Sequence, residues 1–121
     1  MKGFRPYNKA EIFNTLDKIS ITNENCQVIT KYDGRVINVT NVSTRYEVFD
    51  IVKYLKDKIE AIEKNFTISK YTLGLTRGRQ SLTLISDEVE VGGVKFHKTF
   101  YILNSTDKSR RLHFSAGLHS D

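Results

Sequence analysis

At residue 67 the apolar residues stop recurring at helical spacing and begin to alternate, and they alternate to residue 118. Alternation at period two belongs to strands with one buried face. The C-terminal half therefore reads as four strands, 67–76, 81–91, 94–104 and 110–118. The first two join through Arg77-Gly78-Arg79-Gln80. The next join is Gly92-Gly93, a two-residue turn that fixes the register by pairing Val91 with Val94. That register sets Glu90 against Lys95, Glu88 against His97 and Asp87 against Lys98, and opposite charges across strands support it. The strands form an antiparallel meander.

A meander needs a second layer on its apolar face. Residues 45–65 supply one: Val48, Val52, Leu55, Ile59, Ile62 and Phe66 make an apolar stripe, and Lys53, Lys56, Asp57, Glu60 and Lys64 lie opposite. Thr44-Arg45-Tyr46-Glu47 reads as the capping box of this helix. Asn8-Lys9-Ala10-Glu11 has a related form, and Ile12, Phe13, Leu16 and Ile19 then predict a short helix over 9–19. Between the helices, "QVITKY" and "RVINVT" flank Asp33-Gly34, a dipeptide suited to a type I′ turn. Pairing Tyr32 with Arg35 makes a hairpin over 27–41 with Val28, Tyr32, Ile37 and Val39 on one face.

The expected fold is α+β, in the order α-β-β-α-β-β-β-β, with one long amphipathic helix packed on one face of the meander. No linker or repeat divides the chain, so 1–121 reads as a single domain: N-terminal helix in 1–20, hairpin 27–41, helix 45–65, meander 67–118. Uninterrupted alternation assigns Ile85, Val89, Val91, Val94, Phe96, Phe100 and Ile102 to the covered face, joined by Leu112 and Phe114. Glu88, Glu90, Lys95, His97, Thr99 and Tyr101 fall on the other face, with Leu82, Leu84 and Leu103 at one end. That mixed face is open to solvent, to a protein partner or to a second copy of the chain.

No apolar run approaches the roughly 18 residues that a membrane span needs, and the start lacks the apolar stretch of a secretory signal. The expected setting is the cytoplasm, which suits the single Cys26. The Asn-x-Ser/Thr triplets at Asn38, Asn41, Asn65 and Asn104 are then strand and turn chemistry. No cofactor motif is present: "GLTRGRQS" lacks the glycine spacing and following helix of a phosphate-binding loop.

All three histidines lie after residue 96, and two open His-x-Ser/Thr triplets, His97-Lys98-Thr99 and His113-Phe114-Ser115. The triplets resemble the signature of 2H phosphoesterases, in which two such histidines exchange roles as base and acid. The resemblance implies that His97 and His113 face each other. In that family, however, the motifs sit in separate lobes, and apolar matching here favours Phe100 opposite Phe114. That register puts His113 opposite Tyr101 and His97 about 13 Å along the sheet, so no catalytic residue is assigned. A metal is not assigned either: Glu88 and His97 are neighbours, with no third ligand in evidence.

The remaining signal is charge. Nineteen Lys and Arg against fourteen Asp and Glu give a formal +5, a balance that favours polyanions. Lys70, Arg77 and Arg79 belong to the first hairpin of the meander, and Lys108, Arg110 and Arg111 to the tip of the last. The turns after the first and third strands share an end, so these cations gather there with Tyr71 and Tyr101 on the sheet nearby. Arg and Lys would grip phosphates and Tyr101 would stack on an unpaired base. The expected function is binding of nucleic acid, single-stranded in preference; the alternative is a protein-binding inhibitor or assembly module acting on a nucleic-acid enzyme, and the third reading is a 2H-like phosphodiesterase using His97 and His113.

The segment "VEVGGVKFHKTFYILNSTDKSRRLHFSAGL" also resembles the phage/plasmid-like proteins built around a domain of unknown function. The shared features are Gly92-Gly93, the apolar strand Phe100 to Leu103 ending in Asn104-Ser105, and Arg111-Leu112 after a polar turn. The order of helix and strands makes the resemblance extend over residues 45–118. It implies a mobile-element protein engaged with DNA metabolism, or one that binds a host nucleic-acid enzyme.

Overall fold

The computed structural model describes residues 5–43, 47–76, 78–105 and 112–119, with backbone alone at 5–7 and 119. The elements are β1 (Arg5–Tyr7), α1 (Lys9–Leu16), β2 (Ile19–Glu24), β3 (Gln27–Tyr32), β4 (Arg35–Asn41), α2 (Ile51–Glu63), β5 (Ile68–Thr76), β6 (Arg79–Val91), β7 (Val94–Ser105) and β8 (His113–His119). The fold is α+β. One antiparallel sheet has the order β1-β5-β6-β7-β8 and the other β2-β3-β4. The C-terminal meander is as expected; the order differs by two additional strands, β1 and β2.

The N-terminal helix carries the expected capping box. The Asn8 side chain accepts from the Glu11 N–H at 2.8 Å, and the Glu11 carboxylate accepts from the Asn8 N–H at 3.3 Å. The helix ends at Leu16, and Ile19 opens β2 instead of closing the helix. Asn25 and Cys26 both take positive φ, 51° and 60°, in the two-residue turn that pairs Glu24 with Gln27. Asp33 and Gly34 do the same, at 53° and 82°, and Tyr32 pairs with Arg35 as expected. One face assignment in this hairpin is overturned. The register shifts between Thr30 and Lys31, so Val28 meets Thr40 while Val39 meets Ile29. Val28 is buried, whereas Val39 is 49% exposed.

The second helix is shorter than its stripe suggests. It spans Ile51–Glu63, and its N-cap is Asp50, whose carboxylate accepts from the Lys53 N–H at 3.1 Å. Glu47 of the expected capping box stands outside the helix, and Thr44, Arg45 and Tyr46 lie outside the described residues. Asp is as good an N-cap as Thr, so the later one starts the helix where its buried face begins. Instead of one long helix over the sheet, two share the work. Ile12 and Leu16 of α1 join Ile51, Leu55, Ile59 and Ile62 of α2 against Leu73, Leu75, Leu82, Leu84, Phe100 and Ile102. Phe66 adds an edge contact to the Phe100 ring, with centroids 5.3 Å apart.

The sheet face under the helices also differs from the alternation read across β6. Val91 pairs with Val94, Glu90 with Lys95 and Glu88 with His97, all as expected. Between Glu88 and Ile85 the register shifts, so Ser86 and Asp87 together oppose Lys98. Such a bulge inverts the facing of everything beyond it. Leu82 and Leu84 are therefore buried beneath the helices, and Ile85 turns to the opposite face. The bulge is satisfied locally: the Ser86 hydroxyl accepts from the Lys98 N–H at 2.8 Å, and Ser69 donates to the carbonyls of Ile85 and Ser86.

Polar side chains tie the layers at two places. The Tyr71 hydroxyl donates to Glu63, and the Lys9 ammonium lies 2.7 Å from the other Glu63 oxygen, joining α1, α2 and β5. Lys56 pairs with Asp17 between α2 and the end of α1. Burial, then the hydrogen bond to Glu63 and its charge, push the Tyr71 hydroxyl well above the ordinary tyrosine range. A raised pKa means that the unfolded chain loses this proton first as pH rises. Stability from Tyr71 is complete below the ordinary value and falls above about pH 10. Denaturation midpoints of Tyr71→Phe are expected to decline less than wild type between neutral pH and about pH 11; an equal decline would remove Tyr71 as a cause.

Candidate nucleic-acid interface

The face of the large sheet turned away from the helices is built from every second residue of four strands. One row across it reads Thr72, Thr83, Tyr101, Ser115, and the next reads Lys70, Ile85, Thr99, Gly117. A third is Gly74, Ser81, Leu103, His113, and Thr76, Arg79 and Ser105 close the end. None of these residues belongs to the hydrophobic core cluster, although Gly74 and Ser81 of the third row are buried. Small hydroxyl-bearing side chains are the commonest type on this face, at Thr72, Thr76, Ser81, Thr83, Thr99, Ser105 and Ser115.

Three of the seven candidate residues have described side chains, Lys70, Arg79 and Tyr101, and all three fall on this face. Lys70 and Arg79 are exposed and Tyr101 is half-buried. From strand spacing and rise, the Tyr101 and Lys70 positions are about 12 Å apart and those of Tyr101 and Arg79 about 14 Å. Arg79 pairs with Thr76 on one side and Ser105 on the other, so the β5–β6 and β7–β8 connections leave the sheet at the same end. Arg77, Lys108, Arg110 and Arg111 belong to those connections and lie outside the described residues. The acidic residues of β6, Asp87, Glu88 and Glu90, lie toward its other end, beside the Gly92-Gly93 turn. Tyr71 does not join the set; it points beneath the helices to Glu63.

The histidines are arranged differently from expectation. β8 pairs with β7 two residues further along, so His113 stands opposite Leu103, Phe114 opposite Ile102 and Ala116 opposite Phe100. His97 and His113 are thus separated by six residues of strand, about 20 Å, and do not converge. His97 pairs instead with His119, on the row that also holds Glu88. The His97 ring is held through Nδ1, 2.9 Å from the Ser86 carbonyl oxygen. Lys95 lies 3.5 Å from Glu88. Among the described side chains no three His, Cys, Asp or Glu residues come together as a metal site. Cys26 is exposed at its turn, on the small sheet.

A cleft of about 330 Å³ opens between β2 and the start of α2, lined by Asp17, Ile19, Ile21 and residues Val48 to Val52. It contains none of the basic candidates; those described lie on the sheet face. Thr99 was expected on this face beside Tyr101, and Thr72, Thr83 and Ser115 were not placed on it from sequence. Thr83 lies beyond the bulge of β6, where uninterrupted alternation gives the opposite facing. Comparison with protein-family models, with curated proteins and with solved structures returns no match, so the likeness over residues 45–118 gains no support from them.

Proposed function

We propose that this chain binds single-stranded nucleic acid across the open face of its large sheet, with the strand's backbone led toward the end where the basic connections emerge. The observation that carries the reading is that Lys70, Arg79 and Tyr101 share the face opposite the helices. Cations on a flat, hydroxyl-rich sheet meet phosphates, while a raised aromatic offers a stacking platform that any base can use. Lys70 and Arg79 bind phosphate oxygens, Tyr101 stacks, and Arg77, Lys108, Arg110 and Arg111 extend the positive field beyond the sheet. No cofactor takes part in this reading. The setting proposed is the cytoplasm, where the exposed thiol of Cys26 would stay reduced. No helix among the described residues is long and apolar enough to cross a membrane. The likeness to phage/plasmid-like proteins suggests mobile-element DNA as the target.

Fluorescence anisotropy with labelled oligonucleotides over a salt series tests this. Affinity is expected to fall with salt, by a log–log slope of about 0.7 per phosphate contact. Lys70→Ala and Arg79→Ala should each flatten the slope by about that amount. Tyr101→Ala should weaken binding about tenfold and leave the slope unchanged. No binding at low salt, or binding indifferent to salt, overturns the reading and favours a protein partner.

A further inference from the structure

Among the described residues β8 is an edge strand of the large sheet, and its sequence, His-Phe-Ser-Ala-Gly-Leu-His, reads nearly alike in both directions. About Ala116, small Ser115 mirrors Gly117, apolar Phe114 mirrors Leu118, and His113 mirrors His119. Two identical strands that pair antiparallel around a two-fold axis need this property, because the axis sets every position against its mirror image. We propose that a second copy of this chain adds to β8, antiparallel and centred on Ala116, joining the two large sheets into one.

The two edges of the sheet are treated differently. β1 is three residues long and contains Pro6, both of which discourage a further strand. β8 is seven residues long, without Pro, Lys, Arg, Asp or Glu, and the described side chains from Leu112 to Leu118 are all exposed. Phe114 and Leu118 are 41% and 50% exposed on the helix side of the sheet. In the proposed register each covers the other residue type across the axis, giving two Phe–Leu pairs. Space beside the strand is free at Gly117, where a Cβ would meet nothing within 4 Å.

A second copy is the occupant that this symmetry selects, since a strand of another protein gains nothing from it. Each chain carries a formal +5, and β8 itself brings no Lys, Arg, Asp or Glu to the seam; the nearest cation described there is Lys58 of α2, 4.9 Å from the Phe114 ring centroid. A two-fold axis perpendicular to the sheet leaves both open faces on one side, so the row of Tyr101 and Ser115 continues into the second copy's row of Gly117, Thr99, Ile85 and Lys70. One strand pair buries less than a standard interface, so the dimer forms with a Kd on the order of 10 μM.

Sedimentation equilibrium of the full chain, with Ala116→Lys, Ala116→Glu and their equimolar mixture, tests this. Position 116 faces its own copy, so each charged variant should raise the dimer Kd at least about tenfold, and the mixture should restore it. Position 116 is exposed, so circular dichroism and a thermal melt should find each variant folded. A monomeric wild type well above the expected Kd overturns the proposal. So does a dimer that ignores Ala116→Lys, or a mixture that stays monomeric. Nucleic-acid binding by a strictly monomeric wild type would leave the proposed function standing and this interface disproved.

Discussion

Leu84→Ala is expected to cost about 2–5 kcal/mol of folding stability, a large share of what a domain of this size possesses. Leu84 has no exposed surface and stands in register between Tyr71 and Phe100, within the cluster that includes Leu55 and Ile59 of α2. Truncation removes most of a buried side chain and leaves a cavity that a sheet hydrogen-bonded on both sides cannot collapse. The neighbouring Ile85→Ala should cost about 1 kcal/mol, because Ile85 is half-buried on the open face beside Lys70 and Thr99. Urea denaturation of the two variants measures the order. Uninterrupted alternation along β6 would reverse it, placing Ile85 in the core and Leu84 outside. A larger loss for Ile85→Ala would therefore eliminate the bulge at Ser86 and Asp87, and with it the composition of the proposed binding face.

That bulge marks the boundary of what could be read from the chain. Turns were legible wherever two residues carried the chemistry of positive φ, as at Asp33-Gly34 and Gly92-Gly93, and the adjoining registers followed correctly. Insertions within a strand carry no such mark. Ser86-Asp87 continues a plausible strand, yet it exchanges the buried and open faces of half of β6. Alternation is blind to a slip of two residues, and β8 pairs two residues away from the expected register with every face correct. The start of α2 was obscured because Thr44 and Asp50 both suit an N-cap and the apolar stripe already begins at Val48, before Asp50. At the site, charge made Lys70 and Arg79 visible as single residues, while their common face with Tyr101 depended on geometry that spacing alone could not supply.

The second large effect is expected where the core face ends. Asn104→Leu should lower stability by about 1–3 kcal/mol, and adding Gln80→Leu should return most of the loss. The two residues are register partners on β6 and β7, 2% and 8% exposed, and the Asn104 amide donates to the Gln80 side-chain oxygen at 2.9 Å. Each amide is desolvated at the expense of the other's company. Leucine in place of one leaves a buried amide without its partner, whereas leucine in place of both leaves an apolar pair beside Leu82 and Ile102. A double-mutant cycle by urea denaturation should give an interaction of about 1–3 kcal/mol, and simple additivity would mean that water already reaches these amides. Gln80 adjoins Arg79 in sequence but faces the helices, so the double variant should retain the salt-dependent binding proposed for the open face. If affinity fell with the double substitution while stability held, the binding surface would have to include the helix side of this end of the sheet.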